Sequence, residues 1–250
     1  MNHCKIAILS SLTLTAIAAP LHADITGCYY ESYQQTAVDF VGNTITCQVA
    51  DLYLTTDDPR DLLLNVFNLN MSNSLGTSDY YQSITGSGWL PGFAEGIFDT
   101  EATRYLDSFI TIGAQSSDLS MGYGENGRPI QPNANGTMLD PNFGGSQTDA
   151  PDVDAGWANS NPTNQIGHAD FTCMLPGPLA EQASILIGRF AVESDVAFNI
   201  SGTLGVCTYQ GLGTSADCVN LNIVQAPAPG ALALLGLAGS AGRSRRRKSG

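Results

Sequence analysis

The chain has 250 residues and a formal net charge of −13 at pH 7. All 23 acidic residues lie within residues 24–224, with four arginines and no lysine, so this body carries a charge of −19. Such a body repels phosphate backbones, because affinity for nucleic acid depends on Lys and Arg replacing counterions. Apolar residues make up 43% of the chain, which is too much for a disordered protein. The composition therefore excludes nucleic acid as a partner, and the body is long enough for one good-sized core or two small ones.

Residues 1–23 have the layout of a secretory signal peptide. Lys5 precedes an uncharged, mostly apolar run over residues 6–19, and Ala23 ends the segment with a small side chain. The positive end of a signal peptide stays cytoplasmic, the apolar run enters the translocon, and signal peptidase requires small residues near the cut. We expect cleavage after Ala23 and export of the remaining chain. The alternative is a buried first helix, but the apolar residues cover all of its faces instead of one stripe.

Residues 24–224 predict an all-β body. Segments rich in β-branched and aromatic residues recur between Gly, Asn, Asp and Pro, as is typical of strands and turns. The predicted strands are residues 37–41, 44–54, 62–68, 106–113, 184–192, 196–206 and 219–224. Residues 185–192 are almost continuously apolar, which predicts a strand covered on both faces, and residues 99–104 allow one or two helical turns. We therefore predict a β-sandwich of jelly-roll type with a tight turn at residues 57–61.

Five cysteines remain after the predicted cleavage, and export makes disulfides the default interpretation. Cys207 and Cys218 are the first candidate pair, because glycines between them let the chain turn back. Cys28 with Cys47 is the second candidate pair. For Cys173 the alternative to a disulfide is a free, buried thiol that packs as a small apolar residue. No pair of cysteines has the CxxC spacing of a zinc or redox site.

Residues 113–169 form a long Gly-, Asn- and Asp-rich region with few strand signals. Its densest acidic part contains Asp140, Asn142, Asp149, Asp152, Asp154 and Gly156. Alternating carboxylates place oxygens toward one point, as Ca²⁺ requires, although the pattern lacks the closing Glu of a calcium loop. Bound calcium and a solvated loop are the two interpretations, and we assign no metal ligand and no resident cofactor.

The body offers little for catalysis. His168 is its one histidine, and a Ser-His-Asp relay would have to combine it with Asp170 in the absence of a Gly-x-Ser-x-Gly elbow. Paired carboxylates of a glycan-active hydrolase are a second possibility, since 23 acids supply many pairs. The aromatic residues suggest a third function, that of a carbohydrate-binding module. Sugars would stack on Trp89, Trp157, Tyr80 or Tyr81, and the alternative is that these side chains pack in the core. We favour core packing for Trp89 and predict no catalytic residue.

Residues 225–250 have a stop-transfer layout. A proline-bracketed breaker leads into an apolar run over residues 230–242, and a basic cluster over residues 243–248 opposes further translocation. The breaker residues are Pro227, Ala228, Pro229 and Gly230, and the cationic residues are Arg243, Arg245, Arg246, Arg247 and Lys248. The run of 13 residues is about 20 Å long as a helix, shorter than the hydrocarbon core of about 30 Å. The alternative is a basic tail that binds acidic partners, but the run lacks a polar face.

On these residues the tail resembles that of the PEP-CTERM family of bacterial exported proteins, with Ala228 where that family commonly has Glu. The resemblance implies an exosortase-like sorting enzyme and the inner membrane as partners of the tail, and extracellular polysaccharide as a further partner. It also implies a transient C-terminal anchor followed by a cell-surface or extracellular location. Taken together, the sequence predicts an exported, non-enzymatic surface or matrix protein, with a carbohydrate-binding module and a glycan-active hydrolase as alternatives.

Overall fold

The computed structural model describes residues 25–76, 79–83, 88–91, 100–113, 137–143, 151–160, 167–169, 184–209 and 216–226. Nine strands lie in these ranges: β1 (Ile25–Val38), β2 (Thr44–Thr56), β3 (Leu62–Asn73), β4 (Phe109–Ile110), β5 (Thr137–Leu139), β6 (Ala155–Asn159), β7 (Ser184–Glu193), β8 (Ile200–Tyr209) and β9 (Ala216–Gln225). One α-helix, α1 (Glu101–Tyr105), and one 3₁₀ turn, Pro141–Phe143, complete the described elements. The all-β prediction is confirmed. Within the described ranges, no helix has the length and apolar character to cross a membrane.

The strands form a single mixed sheet in the order β4-β7-β2-β1-β9-β8-β3-β6-β5. Neighbouring strands are antiparallel except β1 and β9, which run parallel where residues 28–30 lie beside residues 223–225. The sheet curls until its two ends meet. Just after β4 the backbone N–H of Ile112 donates to Oγ1 of Thr137 in β5, at 3.0 Å. The jelly-roll arrangement of two stacked sheets stays a prediction.

The curled sheet encloses the main hydrophobic core. Inward side chains from most strands fill it, including Leu52, Leu54, Leu63, Val66, Leu69, Ile110, Ile185, Ile187, Phe190, Leu204 and Val206. Strand β7 is buried at nine of its ten residues. The predicted covering of both of its faces is therefore confirmed. This core is the principal stabilising element of the body, because burial of apolar surface is the dominant favourable term in folding.

A smaller core lies on the outer side of the sheet. Helix α1 covers strands β1, β2 and β7 there, and Ala102 and Leu106 pack against Cys47, Val49 and Ala191. The helix begins where the Thr100 side chain accepts a hydrogen bond from the backbone N–H of Thr103, at 3.2 Å. That contact satisfies one of the N–H groups that a helix leaves open at its start. The predicted helical turn at residues 99–104 overlaps α1 over residues 101–104 and is confirmed there.

Most of the predicted strand segments correspond to strands of the structure. Strands β2, β3, β7, β8 and β9 overlap their predicted segments, and β4 occupies two residues of the predicted 106–113. The predicted strand at residues 37–41 is correct only for residues 37 and 38, which end β1. Asp39 starts the turn between β1 and β2, and its Oδ1 accepts N–H groups of Val41 and Asn43. Strands β1, β5 and β6 are not predicted over most of their length. The last two cross the region that the sequence assigned to a long loop.

Candidate functional site: the C-terminal strand and its exit

Strand β9 leads the chain into the predicted tail, and Gln225, its last residue, is the first residue of that tail. It pairs with β8 along residues 216–223 and with β1 over three residues. Only Ile223 is buried among its ten side chains. Beyond the strand, the backbone N–H of Ala226 donates to the carbonyl oxygen of Tyr30, at 2.8 Å. The sheet thus holds the chain up to the residue that precedes Pro227.

The sorting residues themselves follow this exit. The Pro227 to Gly230 motif, the basic cluster and the signal peptide with Ala23 lie outside the described residues. Their roles stay predictions. What the structure supplies is the point of departure, which is a hydrogen-bonded strand between β1 and β8.

The predicted disulfide between Cys207 and Cys218 is confirmed. The two residues lie directly opposite each other on β8 and β9, with Cα atoms 4.1 Å apart. Cys218 is exposed and Cys207 is half-buried. The bond therefore fixes β9 to β8 near the start of β9, on an accessible part of the sheet.

The second predicted pair, Cys28 with Cys47, is wrong. Both thiols are free and buried. Cys28 lies in the main core beside Leu54, whereas Cys47 lies in the outer core beside Gln35. Seven positions along β1 separate Cys28 from Gln35, a distance of about 23 Å in a strand, and the two thiols face opposite sides of the sheet. Cys173 lies outside the described residues.

The aromatic residues proposed for sugar stacking are core residues. Trp89 is 3% exposed and Trp157 is 2% exposed, and Tyr80 is equally buried. Phe143 links the two indoles, with ring centroids 6.1 Å from Trp89 and 5.8 Å from Trp157. The indole N–H of Trp157 donates to the carbonyl oxygen of Thr111, at 2.8 Å. These rings offer no platform to a ligand in solution, and the core interpretation of Trp89 is confirmed.

Tyr81 differs from these residues because it is half-buried against the outer core. Its backbone N–H donates to the carbonyl oxygen of Ala191, at 2.8 Å. Burial, followed by the nearby Cys47, raises the pKa of its phenol to about 12. It therefore stays neutral at ordinary pH and supports the packing of α1.

The acidic loop uses its side chains to shape its own backbone. Oδ1 of Asp140 accepts the N–H of Asn142 at 2.8 Å, and the Asn142 amide donates to the carbonyl oxygen of Asp154 at 3.3 Å. Asp152 and Asp154 are exposed, while Asp149 lies outside the described residues. Among the residues that the structure describes, no group of three or more His, Cys, Asp or Glu side chains is arranged to hold a metal ion. These contacts match a turn-rich solvated loop.

His168 forms an isolated bridge with Leu62, next to the start of β3. The carbonyl oxygen of the preceding Gly167 accepts the N–H of Leu63, at 2.8 Å. Asp170, its proposed relay partner, lies outside the described residues. His168 therefore lies at a backbone contact that ties this segment to the sheet.

A buried charged pair, not predicted from the sequence, lies between β2 and β7. Arg189 of β7 lies opposite Asp51 of β2, and both side chains are at most 2% exposed. Nε of Arg189 donates to Oδ1 of Asp51 at 2.7 Å, and Nη2 donates to Oδ2 at 3.1 Å. The Tyr33 hydroxyl donates to the same Oδ2 at 2.7 Å. The pattern that could have revealed the pair is a lone Arg within an apolar strand, because a buried charge requires a partner.

This network also reaches the helix. Nη1 of Arg189 donates to the carbonyl oxygen of Arg104, at 3.1 Å, and the guanidinium lies 5.6 Å from the Phe109 ring centre. Burial alone would lower the pKa of Arg189, but Asp51 and Tyr33 raise it above its ordinary value. Burial, and next the Asp51 charge, raises the pKa of Tyr33. Arg189 therefore stays charged and Tyr33 stays protonated, and the network anchors α1 to the sheet.

The geometry thus gives one accessible feature next to the predicted sorting motif, the disulfide-pinned strand β9, and several buried features that stabilise the body. Comparisons of the chain with protein-family models, with curated proteins and with solved structures returned no match.

Proposed function

We propose that the chain is an exported, non-enzymatic surface or matrix protein whose body is presented by a C-terminal sorting tail. The observation that carries the proposal is the disulfide between Cys207 and Cys218, because such bonds form and persist in oxidising compartments outside the cytoplasm. The bond lies on β9, the strand that leads directly to the tail. The signal-like N-terminus supports export independently of this bond.

The tail supports a stop in the inner membrane. Its arginine cluster resists translocation, so residues 243–248 would stay cytoplasmic while the body is outside. An apolar run of 13 residues spans the bilayer only by local thinning or by recruiting preceding residues, since about 20 are ordinarily needed. A short anchor of this kind suits a transient stop. An exosortase-like enzyme would then process the chain near Pro227 to Gly230 and release or transfer the body, with extracellular polysaccharide as its surroundings.

The carbohydrate-binding alternative loses its main support in the body. Trp89, Trp157 and Tyr80 are packed in the core and cannot stack on a sugar without unfolding. The Arg189 and Asp51 pair is engaged with its neighbours and stabilises α1. We therefore propose that the protein functions through its export and display at the surface, with the β body as the part that is displayed.

Intact-mass analysis of surface-localised protein tests the proposal in a host with its own sorting enzymes. We expect a mass that lacks residues 1–23 and the basic cluster over residues 243–248. A mass that retains the arginines would contradict processing and leave only a membrane anchor. A mass that retains residues 1–23 on a cytoplasmic protein would contradict export itself.

Substitution of the basic cluster provides the matched comparison. Replacing Arg243, Arg245, Arg246 and Arg247 with Gln should abolish the pause in the membrane, because the apolar run then loses its stop signal. Arg60→Gln is the control, since it removes one exposed arginine of the body and leaves the tail unchanged. Equal surface levels of processed protein in both variants would contradict the role of the tail.

A further inference from the structure

Strand β9 is the central strand of the nine-stranded sheet. In the strand order it lies between β1 and β8, and it is the link between the β4-β7-β2-β1 half and the β8-β3-β6-β5 half at this place. Yet it contributes a single buried side chain, that of Ile223. Strands with few buried contacts open at low free energy. We call the pairing of β9 with β1 on one side and with β8 on the other the seam. The seam therefore depends on backbone hydrogen bonds and on any other contact that holds β9 in place.

The disulfide supplies that additional hold. It joins Cys207 and Cys218 at directly opposite positions, five residues before Ile223 on β9. A cross-link at this register keeps the two strands aligned and prevents β9 from leaving. Because Cys218 is exposed, a thiol in solution can reach the bond.

A free thiol lies directly beneath the seam. Cys28 of β1 lies beside Ile223 in the parallel ladder and is 1% exposed. Burial strongly raises its thiol pKa, so in the closed sheet it is a poor nucleophile. Removing β9 would uncover the side of β1 that carries Cys28. The second free buried thiol, Cys47, lies on the opposite face under α1 and is remote from the seam.

We propose that the disulfide between Cys207 and Cys218 is a reducible lock on β9, and that reducing it opens the seam and exposes Cys28. The partner is a dithiol reductant. One of its thiolates attacks a sulfur of the bond and forms a mixed disulfide, and its second thiol then displaces the protein sulfur. Two electrons and two protons pass to the protein, which keeps Cys207 and Cys218 as thiols, while the reductant leaves as its own disulfide.

Site-resolved alkylation of the full folded chain tests this lock. Three samples are compared at neutral pH: the oxidised wild type, the wild type reduced with dithiothreitol and freed of reductant, and the Cys207→Ser/Cys218→Ser variant. Each is pulsed with iodoacetamide, and peptide mass mapping reports the rates at Cys28 and Cys47 separately. We expect Cys28 to react at least about tenfold faster in both unlocked samples, because reaction follows the population of the open seam.

Cys47 is the matched control, since it is buried like Cys28 and lies outside the seam. Its rate should change by less than about twofold in the same samples. Parallel acceleration at both cysteines would show global unfolding and overturn the proposal, and so would an unchanged rate at Cys28. If the double serine variant fails to fold, the reduced wild type decides the result by the same two rates.

Discussion

Asp51 and Arg189 face each other on adjacent strands and form a buried ion pair with two hydrogen bonds, at 2.7 and 3.1 Å. The pair lies on the outer face of the sheet, under the helix that Arg189 also contacts through the Arg104 carbonyl. Because the charges are out of water, each is tolerated only through the other. This relationship decides how the body responds to substitution.

We predict that Arg189→Met lowers the free energy of unfolding by about 3 to 5 kcal/mol, since it leaves Asp51 buried without its cation. Urea unfolding followed by circular dichroism measures the change. Arg60→Met is the control, because Arg60 pairs with Asp58 at an exposed turn and its replacement should leave the free energy of unfolding nearly unchanged. Similar losses in the two variants would contradict a special role for the buried pair. The Asp51→Leu/Arg189→Met double variant should lose less than the sum of its single substitutions.

Stability should fall as the pH rises from about 9 to about 12. Burial, followed by the Glu193 charge, raises the pKa of Cys47 to about 12, and burial raises that of Tyr81 to about 12. In this range the unfolded chain releases these protons while the folded chain retains them, so alkali favours unfolding. Cys47→Ala should reduce the slope by up to about 1.4 kcal/mol per pH unit. Urea unfolding at pH 8, 9.5 and 11 without oxidant measures it, and an unchanged slope in Cys47→Ala would refute the assignment.

Both tryptophans should behave as buried residues in fluorescence. Trp89 and Trp157 are the only two in the chain. We expect a blue-shifted emission and weak quenching by acrylamide in the folded protein, and strong quenching in urea. Trp157→Phe should destabilise the body by about 1 to 3 kcal/mol, because it removes the hydrogen bond to Thr111 and leaves a void. Strong quenching of the folded protein would instead support an exposed aromatic surface.

Two glycines of β8 should differ in their tolerance of alanine. A Cβ at position 202 would lie 2.0 Å from the backbone oxygen of Asn70, whereas one at position 205 would meet the ring of Phe67 at 2.3 Å. A half-buried ring can turn away, but the backbone of β3 cannot. We expect Gly202→Ala to cost about 2 to 3 kcal/mol and Gly205→Ala clearly less, by thermal unfolding. A larger loss for Gly205→Ala would mean that the Phe67 ring is fixed.

Apolar continuity made several strands predictable, and its absence concealed others. Strand β7 is evident from residues 185–192, whereas β1 contains Glu31, Ser32, Gln34 and Gln35 and lacks a clear apolar pattern. Its stability comes from pairing with β2 along its whole length and from β9 at its start. Such partners are distant in sequence, so no local pattern reports them.

The candidate site divides in the same way. The Cys207 and Cys218 pair could be predicted because glycines between the two residues let the chain turn back, and β8 and β9 place the two residues opposite each other. For Cys28 and Cys47, closeness in sequence misleads, because alternation along the strands and the length of the hairpin place them on different faces. Aromatic residues are equally compatible with a core and with a binding platform until burial is known. The ion pair of Arg189 could be predicted only by noting that a charged residue within an apolar strand is buried and therefore requires a partner of opposite charge.

The parallel pairing of β1 and β9 sets the order in which the molecule can be completed. Cys28 and Ile223 are neighbours in the sheet but lie at nearly opposite ends of the body in sequence. A chain that emerges from its N-terminus presents β1 long before β9 exists, so β1 must wait for its last partner. Contacts this distant in sequence carry a large loop-closure cost and slow folding toward milliseconds or longer. Pairing of the final strand is therefore a late step in folding, and the sheet is complete only when the segment that leads to the tail has been added.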